Sequence, residues 1–330
     1  MRGERYLGDG RRAVPSVETM NTKIETALEI YREEGTVTLL DRAKRHYASR
    51  SYRRFERLMT RLHGRYLFDH AWDLAVVLDA CRYDLAAERE QSHPGELGDP
   101  ERVYSVGSHS ADWIERTFEA ASDSTVSETA YVSANPFTDK APAEELRYLD
   151  RVYQYAWDPE LGTVPPRPVT DRAIRLMRQG EASRYVVHYM QPHLPPLDPS
   201  GINYGRWEPT EDNPGYVTRQ SGDGWELAES GEAADAVVRD YRNNLDPVLN
   251  EVGLLLENVD ASEVVVTADH GNYLGERGRW SHPSGHVHPA VRHVPWWVAE
   301  ATDEGTHSPA RYDRTNEGSR DHQLDALGYR

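Results

Sequence analysis

The chain has 330 residues, enough for one large α/β domain or two ordinary ones, and either would bury a sizeable core. Aspartate and glutamate outnumber lysine and arginine 55 to 38, and the formal net charge of −17 argues against general binding to nucleic acid. Cys81 is the single cysteine, which excludes a disulfide framework and a cysteine-based zinc site.

Lys23, Lys44 and Lys140 are the only lysines. A carboxylate-rich, lysine-poor surface predicts a salt-rich cytoplasm, as in a halophilic archaeon, where screening weakens self-repulsion. The first residues lack the apolar core of a signal peptide, and no run approaches the roughly 18 apolar residues of a membrane span, so a soluble, cytoplasmic protein is expected.

Residues 1–20 are polar and without period, and read as disordered. Residues 21–66 form a basic helical extension, with Ile24, Ala27, Leu28, Ile30 and Tyr31, and later Phe55, Leu58, Met59 and Leu62, at helical spacing. Nine basic residues (Arg42, Lys44, Arg45, Arg50, Arg53, Arg54, Arg57, Arg61, Arg65) face Glu56 alone in the 42–65 stretch. Such a helix can lie on anionic lipid, which would place the protein peripherally at the inner face of a membrane. The plainer reading packs the apolar stripe on the domain and pairs the arginines with its acidic surface.

From residue 67 to 300, short apolar runs alternate with helical stretches: Leu74–Leu78, Thr129–Val132, Tyr185–Tyr189, Val264–Thr267 and, more weakly, Val294–Val298. Helices are expected over Asp112–Ala121, Asp171–Gln179 and Ala233–Glu257. This pattern predicts an α/β catalytic domain built on a mostly parallel central sheet with helices on both faces. Residues 190–230 read as a long loop or insertion near the site, and 301–330 as a polar C-terminal tail, mobile from Ala301 to Asp321 and ending in a small apolar anchor, Leu324 to Tyr329.

Ligands of open α/β sheets bind outside the carboxyl ends of the strands, which makes polar residues there the first candidates. Two of the predicted strands end in acids, one at Asp79 and the other at Asp269-His270-Gly271. The second offers adjacent oxygen and nitrogen ligands on a turn that glycine lets bend sharply.

These segments resemble the sulfatase-like branch of the alkaline phosphatase superfamily, which includes phosphoglycerol transferases. TADHGNYLGERG (267–278) resembles its Asp-His-Gly motif, continued by Ser281-His282-Pro283 and Arg292-His293-Val294-Pro295. VVLDACRYD (76–84) resembles the first motif, HYMQPHLPP (188–196) the central His-x-Pro motif, 241–256 the helix before the last motif and QLDALGYR (323–330) the common ending. The resemblance covers about residues 70–330 and implies a one-metal site of Asp79, Asp269 and His270. Ala80 stands where many sulfatases carry a second Asp, so the cage is poorer in carboxylate, and manganese, magnesium, calcium or zinc are all expected cofactors.

The nucleophile that the family order implies lies in Tyr104–Trp113, with Ser110 first and Ser108 second; Ser110 is also the natural cap of the following helix. His193 and His282 match positions that contact the transferred group and supply proton chemistry. Arg82 and Ser108 are the expected substrate contacts, an ion pair with Asp84 being the competing role for Arg82. Sulfatases carry a Cys or Ser, converted to formylglycine, with Arg four residues on; here Ile114 follows Ser110 and Asp112 follows Ser108 at that spacing. A phosphoester or phosphodiester of a glycan or lipid is thus the favoured anionic substrate. A sulfatase, or an inactive scaffold on the same fold, is the alternative.

Overall fold

The structure, a computed structural model, describes residues 50–92, 97–199, 202, 204, 207–210, 213–219, 224–231, 233–312 and 323–324, with backbone alone for 207–210 and 213–219. The expectations for residues 1–49, and most of the C-terminal motif, lie outside the described residues. The chain divides into two compact units, Met1–Arg57 and Leu58–Arg330. Helical residues run from 50 to 63 (α1), and of the first unit only 50–57 are described.

Along the second unit come β1 (Leu74–Leu78), α2 (Tyr83–Ser92), β2 (Glu101–Tyr104), α3 (Ser110–Ala120), α4 (Asp123–Ser127), β3 (Thr129–Ser133), β4 (Tyr148–Arg151) and α5 (Tyr153–Ala156). Then follow α6 (Pro166–Gln179), β5 (Arg184–Tyr189), the hairpin β6 (Trp207–Thr210) and β7 (Asn213–Arg219), α7 (Gly224–Glu229), α8 (Ala234–Asn243) and α9 (Leu245–Leu256). The last elements are β8 (Ala261–Ala268), a small pair of β9 (Tyr273–Leu274) with β10 (Trp280–Ser281), α10 (Pro289–Arg292) and β11 (His293–Ala301).

The seven-stranded sheet has the order β2-β11-β8-β1-β5-β3-β4. Pairs from β8 to β4 are parallel, whereas β11 runs antiparallel to both neighbours. Every residue of β1 is buried, which is why this strand shows no alternation: both of its faces are covered. Adjacent residues of β5 show the two layers. His188 meets Trp113 of α3, while Tyr189 bonds to Thr170 of α6 on the opposite face. The mostly parallel sheet with helices on both faces is therefore as expected.

Three departures have local causes. Val294–Val298 lies in an antiparallel strand: residues 269–292 between β8 and β11 hold the β9–β10 pair and the four-residue α10, with no helix long enough to span the sheet and carry the chain back for a parallel strand. The helix expected over Ala233–Glu257 is two helices, broken at Asn244: Pro247 lacks the N–H that would continue the ladder and disfavours helical backbone before it. Residues 302–312, expected to be mobile, are held against α6. Arg178 pairs with Asp303 at 2.7 Å, and the buried Asp171 accepts from His307 at 2.6 Å and Tyr312 at 2.8 Å.

Candidate metal centre

Strands β1 and β8 are parallel neighbours with Leu78 opposite Ala268, so Asp79 and Asp269 leave the sheet side by side. Ligand atoms of Asp79, Asp269 and His270 all lie within 4.8 Å of one another, and all three residues are fully buried. The turn after β8 requires glycine. A Cβ on Gly271 would lie 2.3 Å from the Ala290 carbonyl oxygen and 3.0 Å from Cγ of Arg82.

That turn also fixes the imidazole. The His270 Nδ1–H donates to the Gly271 carbonyl at 2.9 Å, which leaves the Nε2 lone pair facing the cluster. From Nε2 it is 3.4 Å to Asp269 Oδ2 and 3.7 Å to Asp79 Oδ1.

One oxygen of each carboxylate is held by the protein. Asp79 Oδ2 accepts from Asn135 Nδ2 at 2.6 Å, and Asp269 Oδ1 accepts from the Ala80 and His270 amides at 3.0 and 2.8 Å. The other two, Asp79 Oδ1 and Asp269 Oδ2, are buried without a hydrogen-bond donor. Burial, and then the charge of Asp269, push the Asp79 carboxyl well above the usual carboxylate range. Asp269 is driven up by the same burial, but His270, His188 and the Ala80 amide outweigh it and hold its carboxyl below that range. Two unsatisfied oxygens and an imidazole lone pair turned toward each other are a donor set that fits one divalent cation.

Ser110 joins this cluster. It opens α3, is fully buried, and its hydroxyl donates to His270 Nε2 at 3.1 Å. Ser108 does not reach it: its hydroxyl donates to the Pro283 carbonyl at 2.9 Å and accepts from the His286 amide at 3.0 Å. Arg82, expected to contact substrate, is instead engaged with Asp84, with Glu276 at 2.7 Å and with the Asn272 carbonyl at 3.0 Å. It ties the loop after β1 to the loop after β8, because acceptors surround all of its long fork.

His193 and His282 meet beside the cluster, Nε2 to Nε2 at 2.8 Å, and His282 stacks on His270 with ring centroids 4.3 Å apart. The His193 Nδ1–H donates to the Leu194 carbonyl at 2.5 Å, so its Nε2 accepts the proton that His282 Nε2 carries. Burial holds both imidazoles below the ordinary value, His193 at about 4. The loop that carries His193 is anchored at the break between α8 and α9: Asn244 Nδ2 donates to the His193 carbonyl at 3.0 Å, and its Oδ1 accepts from the Leu197 amide at 3.0 Å.

Sequence reasoning missed Asn135, His188 and His109. Asn135 follows β3 as Asp79 follows β1, so the strand-end rule that found the acids applied to it as well. His109 precedes Ser110, caps α3 by accepting from the Ala111 amide at 3.1 Å, and lies 5.4 Å from the His282 ring. His188 sits inside an apolar strand run, where a polar residue facing another side chain leaves no pattern.

No family model and no curated protein matches the sequence. Comparison of folds does find similar structures. Over 95% of this chain and 67% of the other, the structure is similar to integral membrane lipooligosaccharide phosphoethanolamine transferase A from Neisseria meningitidis, with 16% identity and a TM-score of 0.51. The periplasmic domain of a phosphoethanolamine transferase from Campylobacter jejuni matches over 72% of this chain and 82% of that one, at 17% identity and a TM-score of 0.43. A 2-O glycosaminoglycan sulfatase matches over 81% and 71%, at 12% and 0.41.

Proposed function

We propose that the chain is a one-metal hydrolase or transferase of phosphate esters that acts through a covalent intermediate on Ser110. The observation that carries this reading is the position of the Ser110 hydroxyl, 3.1 Å from His270 Nε2 in the donor set of Asp79, Asp269 and His270. A divalent cation held by those three residues would lower the pKa of the serine hydroxyl and neutralise an anionic ester.

The protein's own groups account for the remaining roles. Ser110, at the N-terminus of α3 where helix amides favour negative charge, attacks the phosphorus in line. The serine proton leaves to solvent as the hydroxyl ionises, and the His193–His282 pair, once it has taken up a proton of its own, gives that proton to the leaving oxygen. Water or an acceptor hydroxyl then displaces the serine and returns the proton. A sulfatase is disfavoured because neither serine has an arginine four residues on: Ile114, after Ser110, is buried core, and Asp112, after Ser108, binds Ser284 at 2.8 Å.

Replacing Asp269 or His270 with Ala is expected to abolish divalent-metal-stimulated turnover on a panel of phosphomonoesters and phosphodiesters. Full activity in either variant would overturn the proposal. A wild-type enzyme that cleaves aryl sulfate much faster than every phosphoester would overturn the substrate class. An inactive scaffold would take up no manganese or zinc after purification without chelators. We also propose a cytoplasmic protein of a salt-rich cell that touches the inner membrane face through its basic helix.

A further inference from the structure

Asp269 has a partner that the proposed chemistry does not use. His188 is the fifth residue of β5, is fully buried, and places Nε2 at 3.6 Å from Asp269 Oδ2, the oxygen that lacks a donor. Its Nδ1 lies 2.8 Å from the hydroxyl of Tyr131 on β3, which is buried too. The Tyr131 ring lies at 20° to the imidazole with centroids 6.2 Å apart, and the Trp113 ring meets it in a T-shaped contact at 5.8 Å.

We propose that His188 is a positioning residue for Asp269, held in its tautomer by Tyr131. If the Tyr131 hydroxyl donates to Nδ1, the imidazole proton stands on Nε2 and is directed at Asp269 Oδ2. Oδ1 is fixed by the Ala80 and His270 amides, while the His188 N–H faces Oδ2 at 3.6 Å, an electrostatic contact longer than a hydrogen bond that orients the carboxylate and leaves Oδ2 open to the cation. Asn135 does the same for Asp79 from the tip of β3. Buried side chains behind metal-binding carboxylates set their orientation, so removing one lowers metal affinity even though it touches no metal.

The inference rests on the metal site proposed above, and the test separates the two. Metal-depleted wild type, His188→Phe and Tyr131→Phe are titrated with Zn2+ and with Mn2+ against a chromophoric chelator, and the melting temperature of each metal-free protein is recorded. His188→Phe is expected to bind about 10- to 100-fold more weakly. Tyr131→Phe loses only the hydroxyl; it is expected to stay folded, with a metal-free melting temperature lowered modestly by the unpaired His188 Nδ1, and to bind metal several-fold more weakly. Wild type that binds neither ion would overturn the metal site itself. Wild type that binds while Tyr131→Phe keeps wild-type affinity would overturn the role of Tyr131, and a folded His188→Phe with wild-type affinity would overturn that of His188. Should His188→Phe fail to fold, Tyr131→Phe decides.

Discussion

Ser110 and Ser108 stand on either side of His109, and both are fully buried, yet their hydroxyls have different partners. Ser110 faces His270; Ser108 joins the Pro283 carbonyl to the His286 amide. Ser110→Ala should therefore remove at least about 10³-fold of turnover, as loss of a nucleophile does, and leave the fold intact. Ser108→Ala leaves a buried carbonyl and amide without their partner and should cost about 1–3 kcal/mol of stability, with activity retained in the folded fraction. Turnover and urea midpoints measured on both variants check the assignment; the reverse pattern would move the nucleophile to Ser108. The identity of the candidate pair was legible from residue order, but the choice between them was not, because it depends on where the 281–288 loop returns.

At the scale of elements, the site depends on turns that hold strand ends in contact. Gly271→Ala forces a Cβ to 2.3 Å from a backbone oxygen of α10, which cannot move as a flexible side chain could. Overpacking of this kind costs about 1–3 kcal/mol, and the shift it forces falls directly on His270. The expected result is a lowered melting temperature together with weakened metal uptake; an unchanged protein on both counts would show that α10 yields. Asn244→Ala releases the loop of residues 192–197 and should reduce turnover with the metal affinity unchanged, since it anchors His193 and touches no ligand.

These elements also show what sequence could and could not yield. The buried strands β1, β3, β5 and β8 were legible because a continuous apolar run bounded by polar residues has few other readings. Strands β2 and β4 were not, since each is a four-residue edge strand with a single buried position. Asp79, Asp269 and His270 lay at strand tips and were visible, whereas Asn135 and His188 reach them across one intervening strand, β5 and β1 respectively, a proximity that only the sheet order reveals.

For the whole molecule, charge sets two expectations that salt separates. The net charge of −17 should make the fold gain stability as potassium chloride is raised toward molar levels, because screening removes self-repulsion. The arginines of α1 carry the opposite sign: Arg50, Arg53, Arg54, Arg57 and Arg61 are exposed, so their attraction to anionic lipid should fade over the same range as the Debye length falls to about 3 Å at 1 M. Contact that survives molar salt must come from apolar side chains. Leu58 and Leu62, one turn apart, are 52% and 63% exposed, an exposure that water disfavours and a bilayer interface accepts. Sedimentation with vesicles of phosphatidylglycerol and phosphatidylcholine is therefore expected to fall with salt to a plateau above zero. Leu58→Ser with Leu62→Ser should remove that plateau while leaving low-salt binding largely in place. Binding that vanishes in molar salt in the wild type would confine the helix to an electrostatic role, and no binding at low salt would show that the arginine row serves no lipid contact.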